Sequence, residues 1–298
     1  MKSVVRALGA LLMVSAMFAG GSVALAAQSA GATPLAAAGL PELTITLTDQ
    51  GFQAPAETPG GRYLVTLDNQ SKQDGEIDFT MLPSGTTVQN LITDFATPVG
   101  QQEQPLPAYV YKATIAGGPT APAGQKGQAV VNLTEGTWVI WYGGQSTPKP
   151  VEMKVTKGTD PSAAPEPKAA VSVGLTEFSF SGLDQPVATG TNVWKLMNTG
   201  KQPHFLEIDE VPAGTTTQQI ESLLTSGGPG TPPPNATPPP LATTIQFISD
   251  TSAISPGQSM WVTFTLQPGT YAALCFFPDE QTGMPHAMEG MVQVFTVQ

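Results

Sequence analysis

The chain has 298 residues, 12 Lys and Arg against 23 Asp and Glu, a formal charge of −11, and only 12% charged side chains beside 31 glycines and 29 prolines. An acidic field of this size disfavours nucleic acid and anionic membrane surfaces as partners. Sparse charge with abundant Thr, Gly, Pro and Val is the composition of an all-β extracytoplasmic protein.

Met1-Lys2-Ser3-Val4-Val5-Arg6 is a basic start, followed by an apolar run over residues 7–19 and the cleavage-type triplet Ala24-Leu25-Ala26, so residues 1–26 read as a secretory signal peptide. The run is broken by Gly9 and Ser15 and falls short of the roughly 20 apolar residues that span a bilayer. No transmembrane anchor is therefore expected in the mature chain, which carries about −13 once Lys2 and Arg6 are removed. Residues 27–40 read as a disordered stem.

The remainder is an internal duplication. Leu67-Asp68-Asn69-Gln70-Ser71-Lys72-Gln73 parallels Leu196-Met197-Asn198-Thr199-Gly200-Lys201-Gln202, and Pro83-Ser84-Gly85-Thr86-Thr87 parallels Pro212-Ala213-Gly214-Thr215-Thr216 in the same register. Each match leads into a short helix, with Val88, Leu91, Ile92 and Phe95 at helical spacing in one copy and Ile220, Leu223 and Leu224 in the other. The expected copies are residues 41–156 and 170–298, joined by a Pro-rich linker over 157–169 that reads as semi-extended and mobile. A second Pro-rich excursion, residues 227–240, reads as an exposed loop.

Only two histidines and one cysteine occur, and they fall in the second copy in the order His204, Cys275, His286, followed by Met291. Cys275 has no possible disulfide partner within the chain, and an unpaired thiol in an exported protein is a liability unless buried or bound to metal. Two imidazoles, a thiolate and a thioether suit copper, because soft sulfur stabilises Cu(I) while imidazole serves Cu(II). Zinc accepts the first three donors but takes a thioether poorly. A Cys–His hydrolase would leave His204 and Met291 without a role, and a purely structural reading would treat each residue as ordinary core. In Gln202-Pro203-His204-Phe205-Leu206-Glu207-Ile208 the period-2 pattern puts His204, Leu206 and Ile208 on one inward face. Cys275 ends the strand-like run Gly269-Thr270-Tyr271-Ala272-Ala273-Leu274. Ten residues rich in Pro and Gly then lead to His286, and Met291 opens a last strand.

The second copy resembles the cupredoxins, the plastocyanin, azurin and halocyanin type of blue copper protein, in its Pro-His on one strand and its Cys-loop-His-loop-Met near the end. The resemblance implies two tandem Greek-key β-sandwiches, each with a short helix, and one type 1 copper with His204, Cys275 and His286 equatorial and Met291 axial. Two departures are visible. The Cys-to-His loop is longer than in the small members, and Phe205 stands where plastocyanin has an Asn that ties the ligand loops together, with Asn198 or Thr199 as substitutes. In the first copy Gly75 falls opposite His204 and Tyr142 opposite Cys275, so that copy is expected to hold no copper and to serve structure or docking. Its acidic trio Asp74, Glu76 and Asp78 reads as a solvated strand end.

The expected function is single-electron transport outside the cytoplasm, at the cell surface, in the periplasm or secreted, with an unidentified redox protein, for which a basic one would suit the charge. Copper storage, sensing or delivery is the alternative. Both histidines are used by one ion, so no enzyme activity is expected. The edge of His286 is the expected electron exit, with Phe276, Phe277, Pro285, Ala287 and Met288 as an apolar docking patch around it.

Overall fold

The computed structural model describes residues 33–96, 105–142, 149–226 and 240–298; the signal-peptide region and most of the second Pro-rich stretch lie outside them. Alternation drives the strands. In Glu42–Thr48 the inward residues Leu43, Ile45 and Leu47 are buried while Glu42 and Thr44 face out, and Val173 and Leu175 do the same in Val171–Thr176. Each strand pairs in parallel with a longer one in its own copy, Gly61–Asn69 and Gly190–Asn198 respectively.

Four strands of each copy join edge to edge into one eight-stranded sheet. Its order is Ser179–Ser181, Val171–Thr176, Gly190–Asn198, Ser259–Leu266, Lys126–Leu133, Gly61–Asn69, Glu42–Thr48 and Gly51–Gln53. The two halves meet where Trp261 pairs with Val130. Facing this sheet, the first copy has a five-stranded sheet that includes Gly136–Trp141 and Asp78–Met81. The second copy has a four-stranded one of Gln246–Asp250, Glu207–Val211, Gly269–Leu274 and Val292–Val297. Two β-sandwiches thus share one sheet, and a single hydrophobic core cluster runs through both.

The duplication is visible in detail. Thr87 and Asn90 form a reciprocal capping box at the helix Val88–Asp94, and Thr216 and Gln219 exchange the same two backbone bonds before Thr217–Ser226. Asn69 donates to the carbonyls of Gln73 and Ala121 and accepts from Ser71 N–H, while Asn198 donates to those of Gln202 and Ile254 and accepts from Gly200 N–H.

Two expectations about connecting segments need correction. Residues 33–40 are not a disordered stem: Leu35 and Leu40 are buried on the seam against Leu64, Val130, Val193 and Trp261. The linker is tied down as well. The buried Arg62 guanidinium lies 4.6 Å from the centroid of the Trp261 ring and donates to the carbonyls of Ala164 and Pro165, and Glu166 pairs with Lys195 at 2.6 Å. Apolar side chains and unsatisfied carbonyls in these segments found partners on the outer face of the shared sheet, which neither copy alone presents.

Candidate metal centre

His204, Cys275 and His286 come together, and all three are 0% exposed. His204 sits in a bridge with Ile254, through bonds of 3.1 and 2.8 Å in the two directions, just before the Glu207–Val211 strand. Cys275 follows the last residue of Gly269–Leu274, and His286 opens the short 3-10 helix His286–Glu289, which periodicity did not reveal. Met291, also 0% exposed, precedes the final strand; its N–H donates to the carbonyl of His286 at 2.9 Å, and it shares the core cluster with Cys275.

The facing donor atoms are His204 Nδ1, His286 Nδ1 and Cys275 Sγ. The nitrogens are 2.9 Å apart, and the sulfur is 3.9 and 3.7 Å from them. The circle through three atoms so spaced has a radius of about 2.1 Å, within the range of metal–imidazole and metal–thiolate bonds. A regular tetrahedral ion would hold its donors roughly 3.3 Å apart for N–N and 3.6 Å for N–S. The observed triangle is narrower between the nitrogens and wider toward sulfur, so three buried donors converge on one point without matching a regular geometry, and the donor set of two imidazoles and a thiol fits copper.

Tautomers follow from the surroundings. His204 Nε2 lies 3.1 Å from Glu177 Oε1, an acceptor only, so Nε2 carries the proton and Nδ1 keeps its lone pair. Burial lowers the pKa of His204, with Glu177 opposing, and burial followed by the proximity of His204 brings His286 to about 3. Burial pushes the Cys275 thiol up to about 12 despite the Phe205 and Phe277 N–H groups that favour the thiolate. The Phe205 N–H to Sγ distance is 3.5 Å. Without a metal the site therefore holds two neutral imidazoles and a protonated thiol, and a cation must displace the thiol proton.

The tie between ligand loops comes from a residue the sequence reading passed over. Gln202 donates to Asp279 Oδ2 at 2.7 Å and accepts the Glu280 N–H at 2.7 Å, while Asp279 Oδ1 accepts from the N–H groups of Gln281 and Thr282. Asn198, one of the two expected substitutes, steadies the turn before His204; the bond between loops is that of Gln202. The Cys-to-His loop is further closed by Ala287 N–H to Cys275 O at 2.7 Å and His286 N–H to Phe277 O at 2.9 Å.

The expected exposed edge of His286 does not exist. Its ring lies under Phe178, with centroids 5.1 Å apart, and beside Phe277 at 6.0 Å. Phe277 and Ala287 of the expected docking patch are buried too, while Phe276 and Met288 remain partly open. Phe277 is covered in turn by the first copy: Tyr111, on the short helix Ala108–Lys112, packs edge-on against it and donates to the carbonyl of Pro278 at 3.0 Å. Ser252 and Ser255 extend the contact, bonding the carbonyls of Ile77, Gly118 and Ala113. The acidic trio is corrected likewise. Asp74 is exposed, but Glu76 and Asp78 are largely enclosed near Asp209 and Asp250 of the second copy, and burial followed by mutual repulsion raises their pKa values. At Gly75, opposite His204, an added Cβ would overlap Leu47, so the first copy has closed over the place a ligand would occupy.

No protein-family model matches the chain, and no curated protein matches it. Among solved structures, reduced auracyanin from the photosynthetic bacterium Roseiflexus castenholzii is similar over 44% of this chain and 98% of its own, at 26% identity and a TM-score of 0.28. A multicopper oxidase from Campylobacter jejuni is similar over 88% of this chain and 65% of its own, at 11% identity and a TM-score of 0.25, and a laccase from Pediococcus acidilactici over 87% and 61%, at 10% and 0.24. The fold is that of the cupredoxins. The expectation that the chain is not an enzyme is corrected: the solved structures similar over 86–88% of it are multicopper oxidases and a laccase, at 10–13% identity. Among the described residues no helix is long and apolar enough to cross a membrane.

Proposed function

We propose that this chain carries single electrons outside the cytoplasm through one copper ion, which His204, Cys275 and His286 would hold, with the Met291 thioether as a further, weaker donor. The observation that carries the reading is the convergence of three fully buried donors, two imidazole nitrogens and a thiol sulfur, within 3.9 Å of one another. Copper bound there supplies a one-electron couple between two states that the soft and imidazole donors accommodate together. The protein's part is to keep the donors still and dry. Asn198 and Gln202 hold the loops, Phe178 and Phe277 exclude water, and the Phe205 N–H favours the thiolate.

A site with no donor open to solvent favours exchange of electrons over exchange of the ion, which sets this reading above copper storage or delivery. With His286 covered, its path to the surface runs through the half-buried Phe178, and a redox protein would dock there. The acidic chain would suit a basic partner. The first copy acts as a lid that braces the Cys-to-His loop through Tyr111.

The test is to add one equivalent of Cu(II) to the mature protein and to a Cys275→Ser variant. Visible and electron spin resonance spectra and a voltammogram are then recorded, together with the rate at which a chelator removes the copper. An intense blue band absent from the variant, a reversible couple and slow chelation are expected. No band, or copper surrendered within seconds, would overturn the electron-carrier reading.

A further inference from the structure

Glu177 and Phe178 form the two-residue turn between Val171–Thr176 and Ser179–Ser181, whose ends pair at Thr176 and Ser179. This one turn touches both imidazoles. Phe178 covers His286, while Glu177 Oε1 collects three donors: Lys201 N–H at 2.6 Å, Gln202 N–H at 2.8 Å and His204 Nε2 at 3.1 Å. An oxygen that collects three N–H donors and offers none is that of a carboxylate. Gly200 seals the pair: a Cβ there would lie 2.6 Å from Glu177 Oε1 and 2.9 Å from His204 Nε2, so any larger residue would push carboxylate and imidazole apart.

The duplicate supplies an internal comparison. Asp49 occupies the equivalent turn of the first copy, in the hairpin whose ends pair at Thr48 and Gly51, and it accepts the N–H of Lys72, the counterpart of Lys201. Holding that backbone turn therefore requires only the shorter, largely exposed acid. The longer side chain accompanies the copy that has a histidine to reach.

We propose that Glu177 is a positioning residue for the copper centre, orienting His204 through Nε2 and setting the balance between the two copper states. This rests on the function proposed above. A full negative charge on the far side of a ligating imidazole strengthens Nδ1 as a donor and favours the more highly charged ion. Glu177 thus holds the reduction potential down. Substitution of Glu177 by Gln keeps the shape and an acceptor oxygen but removes the charge.

The test compares wild type, Glu177→Gln and Glu177→Asp, each loaded with copper. The reduction potential, the copper hyperfine splitting and the His204 Nε2–H resonance of the Cu(I) form are measured, alongside the melting temperature of the metal-free proteins. Glu177→Gln is expected to stay blue and to change the Cu(II):Cu(I) affinity ratio about tenfold. That is a rise of about 59 mV for a one-electron couple. An upfield shift of the Nε2–H resonance should accompany it. Glu177→Asp keeps the charge and the turn, as Asp49 does, but not the reach: it should lose the short Nε2–H contact and move the potential in the same direction. A blue Glu177→Gln, or, should that variant fail to fold or load, a blue Glu177→Asp, whose affinity ratio changes less than twofold would reduce Glu177 to a turn residue and overturn the proposal. A wild type without a blue band would instead sink the copper reading itself.

Discussion

The carboxyl groups at the seam between the two sandwiches make stability depend on pH in an unusual direction. Glu76 and Asp78 from the first copy approach Asp250 from the second, which also lies near Asp209 and Glu207 on the neighbouring strand. Burial first, and repulsion from Asp250 second, raises Asp78 and Asp209 to about 7, while burial raises Asp250 to about 6. A carboxyl whose folded pKa lies above its unfolded value contributes stability that is fully present below about pH 4 and is lost as the pH climbs through 6 to 7. At about 1.4 kcal/mol per unit, ionising Asp250 between pH 5 and pH 8 costs roughly 1.4 kcal/mol, and relief of its repulsion on Asp78 and Asp209 brings the effect of removing it to about 2 kcal/mol. His204 and His286, held neutral, lose stability in the opposite sense as the pH falls below 6.5 and would mask part of the slope in wild type. The informative quantity is therefore the difference between wild type and Asp250→Asn, in which the histidine contributions cancel. Urea and thermal unfolding of the metal-free proteins, followed by tryptophan fluorescence, should show Asp250→Asn gaining about 2 kcal/mol on wild type between pH 5 and pH 8, or roughly 4–8 °C in midpoint. A difference that does not change with pH would refute the argument that these acids are desolvated at the seam and mutually repelled.

Two further outcomes are expected. Because Cys275 is protonated and both imidazoles are neutral before metal binds, loading Cu(II) at pH 7 should release one proton per ion, with apparent affinity rising about tenfold per pH unit, readable by titration calorimetry in buffers of different ionisation enthalpy. Leu35→Ala removes a fully buried side chain from the seam and should cost about 2–4 kcal/mol in urea unfolding, where a disordered stem would cost nothing.

The amino-acid sequence by itself determined the donor set and the duplication. Three rare side chains in one order, and matched Leu-x-Asn turns before matched helix caps, are local facts that survive any tertiary arrangement. The inward direction of His204, Leu206 and Ile208 was legible too, since a strand's period of two places alternate residues on one face whatever packs against it. What the sequence left open was everything that depends on a second surface. Gln202 reads as a polar loop residue until the fold brings Asp279 within 2.7 Å, and Glu177 reads as a turn acid until Gly200 lets His204 close on it. The covering of Phe277, the partial enclosure of Glu76 and Asp78 and the docking of Leu35 have one cause. Periodicity records which way a side chain points within its own sheet, whereas exposure is settled by what lies opposite, and here that is the other copy of the same sandwich.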